Sequence, residues 1–197
     1  MKEESLDFAK NAFDIEAKSI LCTRDSMDWE AFAKAVELLV QAERIAVSGC
    51  GHSGIACMHF AHSMCCVERP ARFLSPSEAV HGATGFLQKG DVLVTASRGG
   101  KTAELLPIID IARKKEAFVI SVTENADSPM ALKSDITLPM SVDREIDRYN
   151  AQGTSSFIAL NAVFDALQVA VMEETDYKVE QFALVHPGGA VGERLNK

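Results

Sequence analysis

At 197 residues and 47% hydrophobic, the chain has the length and apolar content of one domain with an ample core. Its net charge of −8, with Lys and Arg scattered rather than striped, argues against a nucleic-acid surface and means that any anionic ligand must be attracted by local groups. The opening Met-Lys-Glu-Glu-Ser carries acids and no apolar core of a signal peptide, so a cytoplasmic protein is expected.

In chain order, Leu6, Ala9, Phe13, Ala17 and Ile20 recur at three and four residues, as do Trp29, Phe32, Val36 and Leu39. This spacing predicts two amphipathic helices that precede a sheet and pack across it or against a partner. Short apolar runs follow at 44–48, 71–74, 91–96, 117–122 and 135–138, separated by helical stretches. Continuous apolar strands alternating with helices indicate a parallel sheet covered on both faces, a three-layer α/β/α domain. The helix from Thr154 to Met172 is apolar nearly all round, but Asp165 and a polar start favour a buried helix or subunit interface over a membrane span. Its beginning, Gly153-Thr-Ser-Ser156, offers an N-cap and three hydroxyls, either for capping alone or for a ligand.

Two loops carry the chemistry. The first strand breaks into Val47-Ser-Gly-Cys-Gly-His-Ser-Gly54 and enters a helical stretch, Ile55 to Val67; the third breaks into Ser97-Arg-Gly-Gly-Lys-Thr102 and opens the helical pattern Ala103 to Lys115. Small residues at a strand-to-helix turn let backbone N–H groups approach an anion, so two such loops at strand C-termini point to a phosphate pocket.

The five cysteines, Cys22, Cys50, Cys57, Cys65 and Cys66, form no secreted disulfide framework. Cys57, His59, His62, Cys65 and Cys66 crowd one helix at spacings that could gather a metal. That helix must also bury an apolar face near Ile55, Met58 and Ala61, and there is no Cys-x-x-Cys pair, so free core cysteines and no metal are expected.

These loops, the segment from Glu145 to Ser156 and the closing Leu184-Val-His-Pro-Gly-Gly-Ala-Val-Gly192 together resemble the sugar isomerase (SIS) domain, and more narrowly its arabinose-5-phosphate isomerase branch. The most specific pieces are Pro76-Ser-Glu-Ala-Val-His-Gly82 and His186-Pro-Gly-Gly-Ala190, and the likeness runs from about Ile45 to Leu195. It implies a flavodoxin-like, five-stranded parallel sheet in a single SIS domain over 1–197, with N-terminal helices in 1–42 and the core and C-terminal helices in 43–197. It also implies a homodimer or homotetramer with sites at subunit interfaces, in a form without the CBS modules many members carry.

Carried over by position, the resemblance assigns Ser53, Ser97 and Thr102 to substrate phosphate, Glu104 to substrate binding, and Glu145, His81 and His186 to the catalytic set. Where that branch has lysine in the first loop this chain has His52, and where it has serine and glutamate in the second it has Gly99 and Lys101. The expected reaction is aldose–ketose isomerisation of a phosphosugar through an enediolate, with no cofactor. Glu145, its pKa raised by partial burial, would be the base, His81 and His186 the proton shuttles, and Lys101, Arg98 or His52 the groups facing the carbonyl oxygen. Two other readings stay open: a phosphosugar-binding module without turnover, and an SIS lyase or deaminase acting on an amino-sugar phosphate.

Overall fold

The apolar runs do become strands, and their alternating side chains divide the core in two. In the computed structural model, which describes residues 2–196, two helices, α1 (Glu3–Ser26) and α2 (Trp29–Gln41), lead into β1 (Ile45–Gly49), α3 (Gly51–Cys66) and β2 (Ala71–Phe73). A short α4 (Pro76–Ala79) and a 3-10 turn precede β3 (Val92–Ala96), α5 (Leu106–Lys114), β4 (Phe118–Thr123), α6 (Pro129–Leu132) and β5 (Ile136–Pro139). The chain closes with α7 (Ser155–Glu174), α8 (Val179–Val185) and α9 (Gly189–Leu195).

The five strands are parallel, in the order β2-β1-β3-β4-β5. Ile45, Val47, Val92, Val94, Ile120 and Val122 point into one apolar layer with Phe60 and Phe164, whereas Ala46, Leu93 and Val119 point into the other with Leu105, Ile108 and Ile109. Both faces of each strand are therefore dry, which is why these runs read as continuously apolar. The three-layer α/β/α architecture is as the sequence indicates. Strand order reverses between β1 and β3, so the loops after those two strands flank the crevice where ligands sit in such sheets.

Helix α7 is long and apolar enough to cross a bilayer by length and composition, but Leu160, Phe164, Leu167 and Val171 are buried in the core, with Phe164 stacked 4.4 Å from Phe60. Core burial accounts for this face of the helix.

Several boundaries and faces differ from expectation. Helix α3 begins at Gly51, not Ile55, because Cys50 is extended and Gly51 takes φ +56°, turning the chain at once into the helix; His52 and Ser53 thus lie in its first turn. Its buried face is Ala56, Cys57, Phe60 and Met64, while Ile55 and Met58 are half exposed. Helix α5 begins at Leu106, not Ala103, since Pro107 has no N–H to bond back to residue 103 and fits only the first turn. In α1, Phe13 is 78% exposed and Leu6 is exposed too; the tie to the sheet comes from the other end, where Thr23 bonds the backbone of Ser141 through both donor and acceptor. Of the five free cysteines only Cys57 is buried.

Candidate active site at the sheet's switch point

The β1–α3 turn is built on close backbone contact. A Cβ on Gly54 would lie 2.6 Å from the Gly49 carbonyl oxygen, and one on Gly49 would meet Cys57 Sγ at 2.9 Å and Ser53 backbone at 3.0 Å, so neither position admits a side chain. This brings the N-terminus of α3, with the free N–H groups of its first turn, against the end of the sheet. Ser53 is partly exposed there. His52 packs on the start of α7, its ring edge-on to Phe157 with centroids 6.2 Å apart.

The loop after β3 closes on itself. Ser97 Oγ lies 2.8 Å from Thr102 Oγ1 and accepts the Gly100 N–H at 3.2 Å. Gly100 has φ +64° and faces the Ser128 side chain so closely that no Cβ would fit. Lys101 and Glu104 are exposed, and among the described residues neither makes an ion pair or side-chain hydrogen bond. Glu104 borders a cleft of about 400 Å³ with Cys50, Gly51, Ser75 and Ser77. Burial pushes the Cys50 thiol pKa up, and the nearby Glu104 charge pushes it the same way, so this carboxylate stands close to the switch point. A larger cleft, about 750 Å³, lies away from these loops between α1 and Arg148.

Glu145 does not meet the expectation of a raised pKa. It is 2% exposed, and burial alone would push its pKa up, but hydrogen bonds from Ser156 and Thr154 outweigh that and hold it below the usual carboxylate range. Oε2 accepts the Thr154 N–H (2.8 Å), the Thr154 hydroxyl (3.0 Å) and the Ser156 N–H (3.2 Å), while Oε1 accepts Arg98 Nη1 at 2.6 Å. Glu145 therefore fills the anion position at the α7 N-terminus, so this helix is capped by a remote carboxylate rather than by its own hydroxyls. Thr154 itself makes no side-chain cap.

The histidines separate. His81 is exposed in the turn after α4, and no described side-chain contact joins it to either loop. His186 stacks on Phe182, and its Nε2 lies 3.7 Å from Cys66 Sγ at the far end of α3. Thirteen helical steps carry the chain from Ser53 to Cys66, a distance of about 20 Å. Within one chain His186 is not part of the loop site. His62 contacts Cys66 and His59 contacts Ser63, and among the described residues no group of three His, Cys, Asp or Glu is arranged to hold a metal.

Two participants escaped the sequence reading. Glu124, just past β4, accepts from Arg98 Nε at 2.7 Å and from the Val142 N–H at 2.8 Å. Ser128 backs Gly100. Glu124's position at a strand C-terminus beside the crevice was the available signal.

Residues 38–170 match the family model of the SIS domain. The chain belongs to the SIS domain family. Over 98% of its length this SIS chain is 34% identical to the arabinose 5-phosphate isomerase KdsD of Pseudomonas aeruginosa, of which it spans 60%. It is 43% identical to a candidate sugar-phosphate isomerase from Listeria monocytogenes, with a TM-score of 0.92 over 95% of this chain and all of that one. An Escherichia coli CFT073 protein solved in complex with arabinose 5-phosphate is 28% identical and superposes with a TM-score of 0.88 over 95% of this chain and 100% of its own.

Proposed function

We propose that this SIS domain is a phosphosugar isomerase interconverting an aldose and a ketose through an enediolate. The observation that carries this reading is the meeting, at one switch point, of two Gly- and hydroxyl-rich loops with Glu104, a carboxylate that has no partner among the described residues and borders a cleft of about 400 Å³. Ser53, Ser97, Thr102 and the α3 amides would take the phosphate, whose binding energy orients the reacting carbons. Relatives named arabinose 5-phosphate isomerases make that pentose phosphate the first substrate to test.

The base would be Glu104. A proton acceptor needs a lone pair facing the substrate, and Glu104 has no described partner, whereas both oxygens of Glu145 are already occupied. Lys101 and His52 would face the developing oxyanion. His81 and His186 would assist ring opening, His186 reaching the cleft of a second copy in a homodimer or homotetramer.

The test is solvent exchange in D2O with arabinose 5-phosphate and a panel of pentose and hexose phosphates. The expected result is deuterium at the carbon beside the carbonyl, lost in Glu104→Gln while phosphosugar binding persists. No incorporation with any sugar would sink the isomerase reading; full activity in Glu104→Gln would move the base elsewhere.

A further inference from the structure

Arg98 leaves the β3 loop and spends three donors on other loops: Nη1 on Glu145, Nε on Glu124 and Nη2 on the Val142 carbonyl at 3.2 Å. Its own carbonyl accepts the Glu124 N–H at 3.0 Å and the Thr123 hydroxyl at 2.9 Å, so this one residue is stitched to the loops after β4 and β5 from both main chain and side chain. Through Glu145 the chain of charged hydrogen bonds continues to the backbone of Thr154 and Ser156. One guanidinium between two carboxylates leaves the triad net negative, which makes Arg98 a poor attractor for a phosphate dianion. Free positive charge at the loop comes instead from Lys101 and the α3 N-terminus.

We propose that Arg98 is a positioning residue: it locks the 97–102 loop to the α7 N-terminus through Glu145, and Glu145 serves the site through Arg98 rather than by accepting the substrate proton. This rests on the reading of 97–102 as a phosphate loop. A planar fork suits the task, since it meets two carboxylates and a carbonyl in fixed directions, which a lysine cannot do. Removing it would leave the buried Glu145 charge without its cation and the loop without its brace.

The test uses Arg98→Met, Arg98→Lys and Glu145→Gln in the full chain. Amide hydrogen exchange would be followed over 97–102 and 145–156, with inorganic phosphate binding measured by calorimetry and the pH profile of turnover recorded. Arg98→Met is expected to speed exchange in both segments, and to weaken phosphate, by at least about tenfold, as loss of a charge-assisted hydrogen bond implies. Arg98→Lys should fall between it and wild type, and supplies the same readout if Arg98→Met does not fold. Glu145→Gln should loosen both segments while leaving the acid limb of the pH profile in place.

Wild-type exchange in both Arg98 variants overturns the proposal. So does a Glu145→Gln protein that keeps its exchange pattern and phosphate affinity yet loses turnover and the acid limb, because Glu145 would then be the base. Absence of phosphate binding by the wild type overturns the underlying loop reading, while exchange still decides whether Arg98 is the brace. Failure of every phosphosugar to exchange deuterium would be a separate result, against the isomerase reading alone.

Discussion

His186 Nε2 stands 3.7 Å from Cys66 Sγ, at the end of α3 opposite the turn that holds Ser53. A helix is a rigid spacer, so a histidine fixed at one end cannot serve a phosphate held at the other within the same subunit. If His186 takes part in catalysis, it does so in a neighbour's cleft. Subunits carrying His186→Ala and subunits carrying Glu104→Gln, each inactive alone, should regain activity when refolded together, because mixed assemblies contain clefts with both groups intact. Assembly without recovery, measured by turnover on separated hetero-oligomers, would remove His186 from the shared site.

The depressed pKa of Glu145 fixes the sign of its effect on stability. A carboxyl whose folded pKa lies below the ordinary 4.5 stabilises the fold fully above that value, and the contribution is lost as pH falls through the depressed folded pKa. Chemical unfolding between pH 7 and pH 3 should therefore show wild type losing more stability than Glu145→Gln. Parallel curves for the two proteins would mean that Glu145 is not held charged in the fold.

Gly100→Ala should damage the second loop from inside. The added methyl would meet Ser128 Oγ at a backbone angle that L residues rarely adopt, so about 2–5 kcal/mol of destabilisation is expected from strain and overpacking together. The fall in Tm should come with weaker inorganic phosphate binding, since Gly100 donates its N–H to Ser97 Oγ. Unchanged stability by thermal melting would show that the 97–102 turn accommodates a side chain.

Lys101→Met touches an exposed side chain without a described partner, so stability should stay within about 0.5 kcal/mol of wild type. If the ammonium faces the developing oxyanion, kcat should fall at least about tenfold with KM changing less. Steady-state kinetics in which only KM rises would reassign Lys101 to anchoring the phosphate.

Strand positions, the three-layer class and the two loops were legible locally. Val47, Val94 and Ile120 sit in runs dry on both sides, and glycines with hydroxyl residues end those runs where the chain must turn. The sequence alone therefore determined the strands and the two loops that end them, because periodicity and turn chemistry act over a few residues; that those loops flank the crevice follows from the strand order. It misplaced the start of α3, where the φ of Gly51 starts the helix early, and the buried side of α3, which the smaller Ala56 and Cys57 take over Ile55 and Met58 because the helix lies close on β1.

What Glu145 does was decided by tertiary structure. Arg98 lies 47 residues away in sequence and Thr154 nine residues away, and whether the carboxylate is a base or a brace depends on which donors the crossovers bring to its two oxygens. The same holds for His186, 120 residues from the cysteine it touches. A side chain's partner, unlike its preference for burial, is set by how the strands are ordered and how far each helix carries the chain, and no local pattern encodes those distances.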